Sequence, residues 1–283
     1  MKIKNAPKRA APAIFGYALV IAWVVFTFVL IGWVVFASLS TSSEIFSDHM
    51  FKFQTGFHFE NYVKAWNTQR VSVFFLNSLL YTMVSCTAII LVAAPAAYAL
   101  ARYRFKGNPL VQNLFAAALG IPVIMIIMPL FGVISSLRLT NNRWILMFLY
   151  TAMNVPFAVF YLLSFFRSLS FTYEEAAAID GCSPIKTFWK IMLPLTQPGL
   201  ITVTIFNFIT IWNEYFMSLI FANKTAVRPV AVGLYNMIQS MRYTGDWGGM
   251  FASVVIVFLP TFLIYIFLSD KIIKGVTAGA IKG

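Results

Sequence analysis

Residues 172–198 read TYEEAAAIDGCSPIKTFWKIMLPLTQP, from Thr172 to Pro198. Thr172 followed three residues later by Glu175 has the spacing of a capping box, which predicts a short helix carrying Ala176, Ala177, Ala178 and Ile179. Gly181 ends that helix, because glycine takes the left-handed conformation without steric cost. Ser183-Pro184 is then an N-cap with proline at the first helical position, so a second helix starts at once. Its apolar residues Ile185, Phe188, Trp189 and Met192 fall at i, i+3, i+4 and i+7, with Lys186 and Lys190 on another side, until Pro194 and Pro198 intervene. The stretch reads as a helix-turn-helix set between two membrane spans.

Sixty per cent of the 283 residues are hydrophobic, 11% are charged and the mean hydropathy is +0.81. A chain of that composition has lipid as its main solvent, and a water-soluble core is excluded. The net charge of +12 does not point to nucleic acid, since the basic residues are scattered over loop ends rather than gathered on a face. Cys86 lies in an apolar run and Cys182 in the 170–198 loop, so the two share neither the spacing nor the place of a metal site or a disulfide.

Working outward, Lys2, Lys4, Lys8 and Arg9 precede an uncharged run from Ala11 to Ala37, longer than the apolar core of a cleaved signal peptide and long enough to span. The segment from Leu39 to Arg70 follows; His49 and His58 lie in it and are assigned no chemistry. The second run, Val71 to Ala101, is closed by Arg102, Arg104 and Lys106. The expected fold is all-α, one transmembrane domain over 1–283. Its six spans lie at about 13–37, 72–101, 110–136, 144–166, 199–221 and 248–269, with a loop at 170–198 and a tail at 270–283. Pro122, Pro129 and Pro156 fall within spans three and four, as hinges or as static kinks. With the N- and C-termini inside, 13 of the 21 Lys and Arg residues are cytoplasmic, which agrees with the positive-inside rule.

A polar stripe marks span five. Asn207, Thr210, Glu214 and Ser218 are spaced by three, four and four residues, while Ile205, Phe208, Ile209 and Trp212 point elsewhere. Thr151, Asn154 and Tyr161 repeat the pattern on span four. An acidic residue within a span usually faces a bundle interior or an aqueous cavity. These faces are therefore expected to line a solute pathway or its outer gate, with Trp212 or Tyr215 available for stacking. The competing reading pairs Glu214 with an arginine, an amide or a backbone group at a subunit interface.

Glu175-Ala176-Ala177, Gly181 and, after nine residues, Ile191-x-Leu193-Pro194 resemble the EAA loop of the membrane subunits of bacterial ABC importers, and every position of the pattern EAA-x3-G-x9-I-x-L-P is present. SSEIF (42–46), FENYVKAW (59–66), FLNSL (75–79), YALARYRFKG (98–107) and the ending GVTAGAIKG (275–283) are similar to the maltose-type carbohydrate permeases. The resemblance implies the type I permease fold in a bacterial inner membrane and a coupling loop that docks into a cytoplasmic ATPase through Glu175, Ala176, Ala177, Asp180, Gly181, Ile191, Leu193 and Pro194. It also implies the partners: two ATPase copies, a second related permease, and an external solute-binding protein. The chain has no G-x-x-x-x-G-K-[ST] phosphate loop, so no cofactor is expected in it; ATP and Mg belong to the partner ATPase.

The expected function is thus half of the pathway for a sugar or oligosaccharide, without enzymatic activity of its own. Permeases for glycerol phosphate, polyols, amino acids, peptides or phosphate are the nearest alternatives. A secondary transporter would be expected to show internal repeats or paired intramembrane charges, and a membrane enzyme would need a facing nucleophile and base or a metal cluster.

Overall fold

The computed structural model describes residues 10–47 and 53–280. Among them there is no strand. The helices are α1 (Ala10–Ser38), α2 (Ser42–Ile45), α3 (Glu60–Asn67), α4 (Val71–Arg102), α5 (Asn108–Leu119), α6 (Val123–Ser136), α7 (Arg143–Ser168), α8 (Thr172–Ile179), α9 (Pro184–Thr187), α10 (Leu193–Leu195), α11 (Gln197–Trp212), α12 (Phe216–Phe221), α13 (Val230–Thr244) and α14 (Trp247–Ala280). Lys2, Lys4, Lys8, Arg9 and His49 lie outside the described residues, as does the end of the GVTAGAIKG tail.

Four stretches are long and apolar enough to cross a membrane: Ile14–Ser38, Val71–Arg102, Arg143–Ser168 and Trp247–Lys271. Two bent pairs raise the candidates to six, α5 with α6 at 97° and Pro184–Leu195 with α11 at 73°. The expected third span over 110–136 is thus not one straight helix. Gly120 caps α5, and Pro122, extended at ψ 126°, sits at the N-cap of α6, so the hinge falls on Pro122. Pro129 and Pro156 lie inside α6 and α7, which run on through them. The expected fifth span is likewise broken, between Trp212 and Phe216. Residues 222–246, between the expected fifth and sixth spans, contain α13, and the 270–283 tail continues α14 as far as Ala280.

The chain divides into two compact units. The first comprises the described residues up to Arg70 together with 236–258. The Asn61 amide donates to the carbonyls of Ser38 (3.0 Å) and Ser40 (2.9 Å), and Trp33 meets Phe251 edge to face. Asp246 accepts from the Gln69 amide (2.9 Å) and from Gly249 N–H (3.2 Å) at the start of α14. Glu44 is buried and ties the loop after α2. It accepts from the backbone and hydroxyl of Thr41, from the backbone of Gln54 and from both donors of Thr55. The His58 ring bridges Thr55 Oγ1 (2.7 Å) and Glu60 Oε1 (2.5 Å), a loop brace rather than a ligand set.

The Thr41 N–H foremost, then the Thr55 donors, hold the Glu44 carboxyl down at about 2 against an ordinary 4.5, although burial opposes the shift. A depressed carboxylate stabilises its surroundings fully above the unfolded value and loses that contribution as the pH falls through the folded one. Hydrogen-exchange protection of the Gln54 and Thr55 amides should therefore be constant above about pH 4.5 and decline between there and pH 2. In Glu44→Gln, which does not titrate, the protection should not vary with pH over that range; a flat acid profile in the native chain would contradict the assignment.

The second unit, 71–235 with the residues from Leu259 on, holds the apolar core. Helices α4 and α7 are its centre: Ile89, Ala93 and Ala97 of α4 and Ala158, Leu162 and Phe166 of α7 are fully or nearly fully buried. Alanine at the α4 positions brings the two backbones close, as in membrane helix pairs generally. At one end of the unit α4 grips the segment before α13. The Asn77 amide donates to the carbonyls of Ala226 (2.9 Å) and Arg228 (3.0 Å), Tyr81 donates to Val227 O (2.9 Å), and Ser78 Oγ accepts from Val230 N–H (2.9 Å). Phe74 lies against Gly233, where a Cβ would come within 2.2 Å of its ring. These contacts account for Asn77 and Ser78 of the FLNSL stretch.

Candidate functional site

The 170–198 loop folds largely as its residues dictate. Helix α8 closes with Gly181 at φ +72°, with Gly181 N–H donating to Ala178 O (3.0 Å) and Cys182 N–H to Ala177 O (2.9 Å). This is a Schellman turn, and it requires the left-handed glycine. Ser183 then caps α9, its hydroxyl accepting from Lys186 N–H (3.4 Å), with Pro184 next in the chain.

Two expectations need correction. The Thr172–Glu175 capping box does not form: Thr172 is already helical, Phe171 occupies the N-cap, and the Ser170 hydroxyl accepts from Thr172 N–H instead (3.2 Å). The second helix also departs from a 3.6-residue period, because Phe188–Met192 is a π-turn. The wider turn puts Thr187, Phe188 and Met192 inside while Ile185 and Trp189 stay exposed. Of the loop residues singled out, Ala177 is buried, Ile191 and Leu193 are half-buried, and Glu175, Ala176, Asp180, Gly181 and Pro194 are exposed. With Ile179 and Ile185, 86% and 74% exposed, they give the loop a surface of small and apolar groups around a fixed turn.

The polar residues of span five do not form one continuous stripe. Asn207 is buried on α11, and its Nδ2 has no hydrogen-bond partner among the described residues. Thr210 faces outward, while Ile205 and Trp212 are buried. Trp212 stacks on Phe208 with ring centroids 5.7 Å apart. Helix α11 ends at Trp212, so Glu214 falls in the break. Its carboxylate accepts from Met217 N–H (2.6 Å), Ser218 N–H (3.0 Å), Ser218 Oγ (2.7 Å) and the Tyr150 hydroxyl (3.1 Å). The Ser218 and Tyr150 hydroxyls also lie within hydrogen-bond reach of each other, so their two protons are shared among three contacts. Glu214 thus caps α12 and fastens it to α7. On α7, Thr151 and Asn154 are half-buried and donate to carbonyls one turn back, Met147 O and Tyr150 O (each 2.8 Å).

A residue that sequence reading left among the loop charges proves central to the loop. Arg102, the last residue of α4, is almost wholly buried, with Nε 2.7 Å from Glu174 Oε1 and Nη2 donating to Leu169 O (3.0 Å). The Nε–Oε1 approach is an ion contact without hydrogen-bond alignment. The guanidinium lies 4.2 Å from the centre of the Phe171 ring. Only the charges themselves, a basic residue ending the apolar run of α4 and an acidic one in the first turn of α8, hinted at the pair.

This loop, on an all-helical chain with four to six candidate spans, belongs with known transport components. Residues 89–277 match the family of binding-protein-dependent transport system inner membrane components, and the chain belongs to that family. Its members are permease subunits and not enzymes. The chain is 34% identical over 270 residues to the diacetylchitobiose uptake system permease protein NgcG of Streptomyces coelicolor, covering 95% of this chain and 89% of the relative. It is 33% identical over 226 residues to the trehalose/maltose transport system permease protein MalG of Thermococcus litoralis, covering 79% and 81%. A crystal structure of a bacterial ABC transporter involved in the import of the polysaccharide alginate shares the fold, with a TM-score of 0.79 over 95% of this chain and 99% of that one at 20% identity.

Proposed function

We propose that the chain is a membrane subunit of an ATP-driven importer of a sugar or oligosaccharide, crossing the membrane six times with both termini in the cytoplasm and forming half of the pathway. The observation that carries the sugar reading is the 34% identity to a disaccharide permease over nearly the whole chain. The 170–198 loop is the docking element for a cytoplasmic ATPase pair that binds ATP and Mg. Its fixed turn at Gly181 and its exposed face of Ala176, Ile179 and Ile185 support that role. A second related permease and an external solute-binding protein complete the assembly.

On the pathway side, Asn154, Asn207, Thr210, Glu214 and Ser218 are the candidates, with distinct duties. Asn207 offers a buried amide with spare donor capacity, while Glu214 and Ser218 shape the break between α11 and α12. Broken spans at membrane depth are tolerated where they line a cavity or are buried in protein. The test is uptake into proteoliposomes containing the complete complex, with Mg-ATP inside and labelled diacetylchitobiose, maltose and trehalose offered in turn. ATP-dependent accumulation of one of these is expected. Accumulation of amino acids or peptides with none of the sugars would overturn the sugar reading.

A further inference from the structure

We infer that Arg102 is a positioning residue for energy coupling, setting the orientation of α8 through Glu174; this rests on the docking role proposed for the 170–198 loop. Little else holds α8. Of its eight residues only Ala177 is buried, and a cavity of about 190 Å³ lies beneath it, lined by Tyr98, Tyr103, Ala178, Cys182 and Thr187 together with the ion pair. Packing alone does not fix such a helix. Arg102 joins three elements at one point: the C-terminus of α4, to which it belongs, the carbonyl of Leu169 that closes α7, and the acidic first turn of α8. The charges are placed as helix dipoles favour, a cation at a C-terminus and an anion at an N-terminus. Phe171, the N-cap of α8, stacks beneath the guanidinium and adds a planar constraint.

Burying an ion pair seldom stabilises a fold more than apolar packing would, whereas removing one partner leaves an uncompensated charge. The pair is therefore better suited to directing α8 than to strengthening the core, which lies between α4 and α7. Arg102 also has no equivalent in lysine. The planar fork serves Glu174 and Leu169 together while stacking on Phe171, and an ammonium cannot do all three.

The experiment uses the whole complex purified through a tag on this chain. Hydrogen exchange over Thr172–Ile179 should rise about ten-fold in Glu174→Gln and in Arg102→Lys while exchange in Val71–Arg102 stays native. Glu174→Asp, which keeps the anion, should hold exchange nearer to native than Glu174→Gln does, a dependence on charge that loss of packing would not give. In parallel, a cysteine at position 176 should crosslink to the ATPase in the native background and about ten-fold less in Glu174→Gln and Arg102→Lys at equal co-purification. Native exchange in both Glu174→Gln and Arg102→Lys, loss of assembly in both, or exchange in Glu174→Asp as fast as in Glu174→Gln would each overturn the inference. If the cysteine at 176 fails to reach the ATPase even in the native background, it is the docking role that falls, and the exchange data alone then decide whether Arg102 orients α8.

Discussion

Uptake by a Gly181→Val variant is expected to fall roughly 5- to 150-fold, with the chain still inserted and its spans intact, because the strain of a β-branched residue at positive φ is on the order of 1–3 kcal/mol. No atom lies within 4 Å of where a Cβ would stand, so steric crowding is absent and the whole effect is conformational. At φ +72° glycine is at ease, and valine would be driven to another backbone geometry. The bonds from Gly181 and Cys182 back into α8 would then be lost, and Ser183 with α9 would leave α8 at a different angle. Co-purification of the ATPase should weaken in step with uptake. Gly181→Asn, which tolerates the left-handed region, should retain much of both. Native uptake by the valine variant would remove the turn from the coupling mechanism.

The second large effect is expected at Glu214. Glu214→Ala deletes the acceptor for four donors, two of them backbone N–H groups at the start of α12, and loss of a cap alone costs about 0.5–2 kcal/mol. Each hydrogen bond to a charged group adds about 1.5–3 kcal/mol in favourable cases. The variant should melt at lower temperature and lose uptake. Glu214→Gln keeps one oxygen acceptor and an amide that can donate to the Tyr150 or Ser218 oxygen, so it should lie between alanine and native. Asn207→Ala separates the pathway duty from the structural one: its Nδ2 has no partner to lose among the described residues, so uptake should drop with melting nearly unchanged. If Glu214→Ala lost uptake at a native melting temperature, the carboxylate would act on the solute and not as a cap.

The features legible in the sequence were those written in residues with singular backbone chemistry. Gly181 and Ser183-Pro184 each allow few conformations, and the turn between α8 and α9 follows from them. The α8 start was missed by one residue because Thr172 and Ser170 can each cap, and local pattern does not choose between them. The π-turn at Phe188–Met192 could not be read, since counting by 3.6 assumes the regularity that the turn breaks. The break after Trp212 carries no proline or glycine. Its mark is an acidic residue four positions before a serine in an apolar run, the same residues that looked like a continuous stripe. Helix α13 was hidden by the polar residues set among its apolar ones, Asn236, Gln239, Ser240 and Arg242. The Arg102–Glu174 pair joins residues 72 positions apart in the chain and depends on how α4 and α7 end together.

Helix α4 holds a partner at each end. Asn77 clasps the backbone before α13, and Arg102 clasps α8; the two lie about 37 Å apart along one unbroken helix. Such a member acts as a tie bar. The segment at 226–230 and the seat of α8 are thus fastened to opposite ends of one helix.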